Sequence, residues 1–229
     1  MLDIVSQYWP MLLVGQYPNG PLGGLAMTLL LAICGLLLSL PLALLIAIAR
    51  TCPFRILRTL SAGLVHTVRG MPLLMLIFWA YFAVPKLTGE AVSGFTTLVA
   101  ALVIYESAYL SEVIRSGIEA IPKGQIEASR SLGVGYWTTL RRVILPQALF
   151  NVLPSMTSQF VSTVKETSLG YVISVNELTF AANQVNNMVL TQPLQVFGVL
   201  AIMYFLVCFT LSRGLYALDV RVRRARALV

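Results

Sequence analysis

Charge is what this sequence has least of. Lys, Arg, Asp and Glu together make up 11% of its 229 residues, against about 25% in an ordinary soluble domain. Histidine occurs once, at His66, and cysteine three times. A lone histidine makes a zinc constellation improbable, and no Ser/His or paired-Asp arrangement suggests an intramembrane protease. Cys34 and Cys208 fall in apolar runs and Cys52 in a short basic loop, so all three read as apolar filler rather than a disulfide framework. No Lys or Arg precedes Arg50. A cleavable signal with a basic n-region is therefore not expected, and the first apolar run should stay as an anchor. The G-x-x-x-x-G-K-[ST] loop that cradles nucleotide phosphates is also missing.

What the chain has instead is apolar length: 58% of its residues are hydrophobic. Leu22–Ala49, Val143–Val164 and Gln192–Ser212 hold no formal charge, and about 20 apolar residues suffice to cross the hydrocarbon core. Two further runs, roughly Leu60–Val84 and Phe95–Ile114, are apolar but contain His66, Arg69, Glu106 and Glu112. An all-α integral membrane protein with five transmembrane helices is expected, as a single domain over 1–229. Ser168–Ala182 is apolar but carries Asn176 and Glu177, which suits a broken or partly inserted helix.

The few basic residues orient the chain. Arg50, Arg55 and Arg58 follow the first run, and Lys86 stands alone after the second. Arg115, Lys123, Arg130, Arg141 and Arg142 lie between the third and fourth, Lys165 follows the fourth, and Arg213, Arg221, Arg223, Arg224 and Arg226 follow the fifth. Heavy and light loops alternate, which places the N-terminus outside and the C-terminus in the cytoplasm. The net charge of +7 is thus a topology signal and needs no nucleic acid to explain it.

The longest cytoplasmic connection then spans about 115–146. Ile121-Pro122-Lys123-Gly124-Gln125 is a turn, and Glu127–Leu132 forms a short helix. Gly133 and Gly135 are expected to end it in conformations that residues with a β-carbon avoid. Helical character resumes at Tyr136 and leads to Leu145-Pro146. On pattern alone, this is either a rigid cytosolic knob or an interfacial loop with snorkelling arginines.

At this point the sequence resembles a known family. Glu127, Ala128, Ser129, then Gly133, Val143, Leu145 and Pro146 match the Glu-Ala-Ala…Gly…aliphatic-x-Leu-Pro signature of permease subunits of ABC importers, with Ser129 in place of the second Ala. TVRGMPLLMLIFWAYFAVP (67–85), SAYLSEVIRSGIEAIPKGQIEASRSLG (107–133), RRVILPQAL (141–149) and KETSLGYVISVNEL (165–178) resemble the polar amino-acid permeases, and together cover most of 22–215. The resemblance implies the type I ABC importer permease fold in a bacterial inner membrane. It implies a second permease subunit, identical or related, two ATP-binding subunits that hold the ATP and Mg, and a periplasmic amino-acid-binding protein. It also implies that this chain carries no cofactor, metal or covalent chemistry of its own. The short helix would seat in a groove of the ATPase, with Glu127 either pairing with a basic group there or capping the helix start. Ala128 would permit close approach, Gly133 the turn, and Pro146 a stiff re-entry.

Charged groups inside a membrane cost about 2.5–3.5 kcal/mol each on insertion scales, so each needs a partner or a water-lined cavity. His66, Arg69, Gln159, Ser162, Lys165 and Glu166 are candidates for a substrate path. For Arg69, Glu106 and Glu112, interhelical ion pairs are the competing reading, and for His66, packing. Where many relatives carry Glu and permeases for basic amino acids carry an acidic residue, this chain has His66 and Gln159, and Met71 stands where Thr is common. Neutral or cationic groups suit an acidic or neutral amino acid. FWAYFAVP (78–85) and YESAYLSEVIR (105–115) resemble glutamate/aspartate permeases in particular, so L-glutamate and L-aspartate are the expected cargo, with another polar or neutral amino acid as the alternative. An ion-coupled secondary transporter using Glu106 and Glu112, or a membrane scaffold, are the rival classes.

Overall fold

The computed structural model describes residues 2–227. The side chains of Leu2, Asp3, 222–223 and 225–227 lie outside the description, among them Arg223 and Arg226 of the C-terminal basic cluster. In chain order the helices are α1 (Leu2–Val14), α2 (Gly24–Thr51), α3 (Arg55–Gly70), α4 (Leu73–Phe78), α5 (Val84–Thr88), α6 (Gly94–Glu119), α7 (Lys123–Ser131), α8 (Tyr136–Thr139), α9 (Leu145–Asn151), α10 (Leu153–Glu166), α11 (Leu178–Val189) and α12 (Pro193–Ala227). Among the described residues the fold is all-helical, with only two isolated bridges, Gly15 to Leu22 and Gly24 to Glu177.

The spine is the pairing of α2 with α6. The buried face of α2 is Gly24, Thr28, Leu31, Ala32, Gly35, Ser39, Ala43 and Ala47, a stripe that recurs every three or four residues and so lies on one side of the helix. Small side chains there let the two backbones approach, which in lipid replaces hydrophobic collapse as the source of packing energy. The same logic holds α6 against α9, where a β-carbon on Gly117 would sit 2.5 Å from Val152 and 2.8 Å from the Ala148 carbonyl. Four apolar clusters surround this spine, the smallest joining Val65 and Val68 of α3 to Ala108 of α6. One joins Ala43, Ile114, Ile118, Ile121, Ile144 and Met156; one joins Leu31, Ile77, Leu98 and Ile173; one joins Ile4, Leu12, Leu178, Val185 and Val199.

Three helices, α2, α6 and the Pro193–Arg221 portion of α12, are long and apolar enough to cross a membrane. A fourth crossing exists if α3 and the Leu73–Thr88 stretch count as one span, bent by 100°. The bend falls where Pro72 forces the preceding Met71 out of helical geometry (φ −110°, ψ 148°). The remaining expected span, 143–164, is not one helix: Val152 interrupts it (φ −95°, ψ 0°), separating α9 from α10. Pro154, two residues on, has no amide hydrogen to continue the ladder. The helix count therefore differs from the expected five because prolines break two of the runs. Proline also explains two π-helical turns, Trp79–Ala83 and Leu140–Ile144. Each lies just before a proline, Pro85 or Pro146, whose ring clashes with the carbonyl four residues back and widens the turn.

Ser168–Ala182, expected to be broken, consists of a 3-10 turn (Thr167–Ile173), a left-handed Ser174 (φ 58°) and the start of α11. Glu177 secures this junction. Its carboxylate accepts from the amides of Thr179 and Phe180 at 2.8 Å each and from the Tyr204 hydroxyl at 3.0 Å, and the Leu178 amide donates to Thr28 Oγ1 at 3.0 Å. One buried carboxylate thus ties α11 to α12, beside a backbone bond to α2.

Candidate functional site

The apolar bundle encloses one concentrated polar cluster. Gln159, Thr163 and Glu166 lie at i, i+4 and i+7 of α10 and so share a face. That face meets Glu106 on α6, which is fully buried. Gln159 Nε2 donates to Glu106 Oε2 at 2.9 Å. The Glu166 carboxyl interacts with that of Glu106, yet Glu106 Oε1 and Glu166 Oε2 are buried without a hydrogen-bond partner among the described residues. Two carboxylates offer only acceptors to each other, so this contact calls for a proton or a cationic group between them. On the neighbouring face of α6, the Tyr105 hydroxyl donates to that of Tyr109 at 3.2 Å, and the Arg69 guanidinium lies over the Tyr109 ring, 5.0 Å from its centroid.

The structure thus brings Gln159 and Glu166 together and connects Arg69 to their surroundings through the tyrosines. It leaves His66 on the exposed face of α3, so His66 is not a packed core residue, and it leaves Lys165 exposed at the end of α10; Ser162 is half-buried. Of the three groups that could have formed interhelical ion pairs, only Glu112 does so among the described residues, with Arg50 on α2, and it also pairs with Arg115 one turn along α6. Glu106 has no ion pair among the described residues. Thr163 stands out in the sequence as a neutral polar group beside Gln159 and Ser162, whereas Tyr105 and Tyr109 do not, and their only signal is their place on the helix that carries Glu106.

The connecting loop is built differently. Helix α7 ends in a Schellman motif: the Gly133 amide donates to the Arg130 carbonyl at 2.9 Å and the Val134 amide to the Ser129 carbonyl at 3.0 Å. Gly133 occupies the left-handed position (φ +75°). Gly135 does not, since its φ of −65° is open to any residue, which corrects the expectation that both glycines need special backbone. Glu127 sits mid-helix and is exposed, so it does not cap α7, whose N-cap is Pro122. Ala128 is exposed beside it, whereas Ser129 is buried at 8% exposure. Leu145 is half-buried and Pro146 opens α9.

Two side-chain ties hold this loop to the bundle. Gln147 Nε2 donates to Gln125 Oε1 at 2.7 Å, joining α9 to α7, and the Tyr136 hydroxyl donates to the Thr51 carbonyl at 3.4 Å, joining α8 to the end of α2. Burial, with a smaller contribution from Cys52, pushes the Tyr136 phenol above its ordinary pKa, which keeps it a donor. Beside it the ion pairs continue from Arg50 through Glu112 and Arg115 to Glu119.

Apolar helices around a buried polar cluster, with a short closed helix in a loop tied to the bundle at α9 and α2, suit a membrane transport subunit. The profile of the family described as "Binding-protein-dependent transport system inner membrane component" matches residues 39–224. The chain is 40% identical, over 86% of its length and 91% of the relative's, to the probable glutamine ABC transporter permease protein GlnP of Bacillus subtilis. It is 32% identical, over 88% of its length, to the glutamate/glutamine/aspartate/asparagine transport system permease protein BztC of Rhodobacter capsulatus, and spans 48% of that longer protein. A crystal structure of an amino acid ABC transporter with histidines superposes with a TM-score of 0.84 at 30% identity, covering 96% of this chain and 97% of that one. The chain belongs to this family and is a permease subunit of an amino-acid ABC importer.

Proposed function

We propose that the chain is the membrane half of an ATP-driven importer that carries a polar amino acid across a bacterial inner membrane. The N-terminus lies outside and the C-terminus in the cytoplasm, with five crossings when α3–α5 and α9–α10 each count as one bent span. It pairs with a second permease, identical or related, and receives cargo from a periplasmic binding protein. Two ATPase subunits hold the ATP and Mg; this chain needs no cofactor or metal.

The observation that carries this reading is the exposed Glu127–Ala128 face on a helix closed by Gly133 and anchored at Ser129. A short helix of this kind moves as a rigid body. Glu127 pairs with a basic group on the ATPase, Ala128 allows its surface to approach, and Leu145-Pro146 passes the displacement into α9 and α10. Those helices carry Gln159, Ser162, Lys165 and Glu166, so ATP-driven closure reaches the polar cluster directly. Arg69 on α3 reaches the same path through the Tyr109 ring, and His66 lies on the exposed face of that helix.

The cargo follows from the charge of that cluster. Glu106 and Glu166, which form no ion pair with Lys or Arg among the described residues, favour an α-ammonium and repel an acidic side chain. Gln159 offers a carboxamide where an acid would select a base. A glutamine-like amino acid therefore fits best, in keeping with the name of GlnP. Glutamate and aspartate are the second reading, supported by Arg69 nearby and by the substrates in the name of BztC. ATP hydrolysis by the reconstituted importer, measured with its carrier loaded with each amino acid in turn, separates the two. Stimulation by glutamine and not by glutamate or aspartate is expected, and the reverse order replaces the first reading with the second.

A further inference from the structure

Helix α11 has two unlike faces. Leu178, Ala181, Ala182 and Val185 are buried against α1 and α12. Phe180, Asn183, Gln184 and Asn187, at i, i+3, i+4 and i+7, line the opposite side of a cavity of about 420 Å³ that Tyr171, Val172 and Ser174 complete. That volume lies within the range of about 300–1,000 Å³ usual for small-molecule sites.

The chemistry of the lining is selective. An exposed helix face ordinarily carries Lys, Glu or Arg; this one carries three carboxamides and no formal charge. Each carboxamide donates through its nitrogen and accepts through its oxygen, and the Tyr171 and Ser174 hydroxyls do both. Such a surface matches a zwitterion, whose ammonium needs acceptors and whose carboxylate needs donors, without a fixed charge that would hold it too long. The wall is also set in place: Asn183 Nδ2 donates to the Tyr171 hydroxyl, and Ser174 is held in the left-handed conformation by amide bonds at its flanks, its own to Tyr171 and that of Val175 to Gly170. The cavity is separate from the Glu106 cluster and adjoins the Glu177 junction, since Asn183 and Gln184 follow that cap on α11.

We propose that this carboxamide-lined cavity is a second amino-acid site, a vestibule that holds the zwitterion between its release by the carrier and its passage to the Glu106–Gln159 cluster. This rests on the reading above that the chain is an amino-acid permease.

The test uses the permease–ATPase complex in nanodiscs, with Cys34, Cys52 and Cys208 replaced by Ala and either Gln184→Cys or Asn187→Cys introduced. L-glutamine alone, at millimolar concentration, slows maleimide labelling of both cysteines several-fold, and leaves labelling of a Thr191→Cys control outside the cavity unchanged. Equal labelling with and without glutamine overturns the proposal. So does protection that appears only on adding substrate-free carrier, because the face is then a carrier contact. Where a cysteine variant does not assemble, Asn187→Ala replaces it. The vestibule then predicts several-fold less uptake per ATP hydrolysed with carrier-stimulated hydrolysis retained, and unchanged stoichiometry overturns it. Failure of the parental complex to take up amino acid with ATP would instead sink the proposed function, a result the labelling rates do not depend on.

Discussion

The Gln159 amide on α10 donates to Oε2 of the buried Glu106 carboxylate on α6 at 2.9 Å, while Oε1 has no hydrogen-bond partner among the described residues. Gln159 therefore sets both the stability and the charge of the cluster. Gln159→Leu leaves a buried carboxylate without that partner and is expected to cost about 1–3 kcal/mol, read as a lower unfolding temperature in nanodiscs. Gln159→Glu adds a third acid, so carrier-independent binding should shift from glutamine towards arginine and lysine. An unchanged selectivity profile with folding intact would remove Gln159 from the path.

Glu112 bridges Arg50 and Arg115, and the Arg50 side chain is only 8% exposed. Glu112→Gln strands a mostly buried guanidinium and should destabilise by about 3 kcal/mol. The double substitution Arg50→Leu with Glu112→Leu should recover most of that loss. Additive losses in the double variant would show that the pair itself contributes little.

Helix α7 offers a paired test of backbone geometry. No atom lies within 4 Å of a β-carbon placed on either Gly133 or Gly135, so any difference between them comes from conformation. Gly133→Val forces a branched residue into φ +75° and should cost about 1–2 kcal/mol, whereas Gly135→Val should change stability by less than about 0.5 kcal/mol. Co-purification of the ATPase should fall for the first and persist for the second.

Because Glu127 is exposed and mid-helix, Glu127→Lys should leave the permease inserted and as stable as the parent. Uptake and ATPase co-purification should both be lost. Retention of both by a stable, inserted variant would move the docking surface elsewhere.

The end of the short loop helix was legible because it depends on local chemistry: Gly133 takes the left-handed turn that closes α7. The breaks were harder to see. Hydropathy averages over Val152 and Met71, so the runs around them read as continuous even though Pro154 and Pro72 stood in the sequence. The Glu106 cluster was half legible. Gln159 and Glu166 stood out as polar groups in apolar surroundings, but that Glu106 would face them rather than a cation depends on how α6 and α10 cross. Ser174, Asn183 and Asn187 gave no signal, because only the fold puts them around one cavity.

The most direct measurement is uptake of labelled glutamine into proteoliposomes containing this chain, its partner permease, the ATPase and the loaded carrier. Uptake that requires ATP, the ATPase and the loaded carrier, and collapses with Glu127→Lys, is the predicted result. Uptake by this chain alone on a proton or sodium gradient would contradict the account.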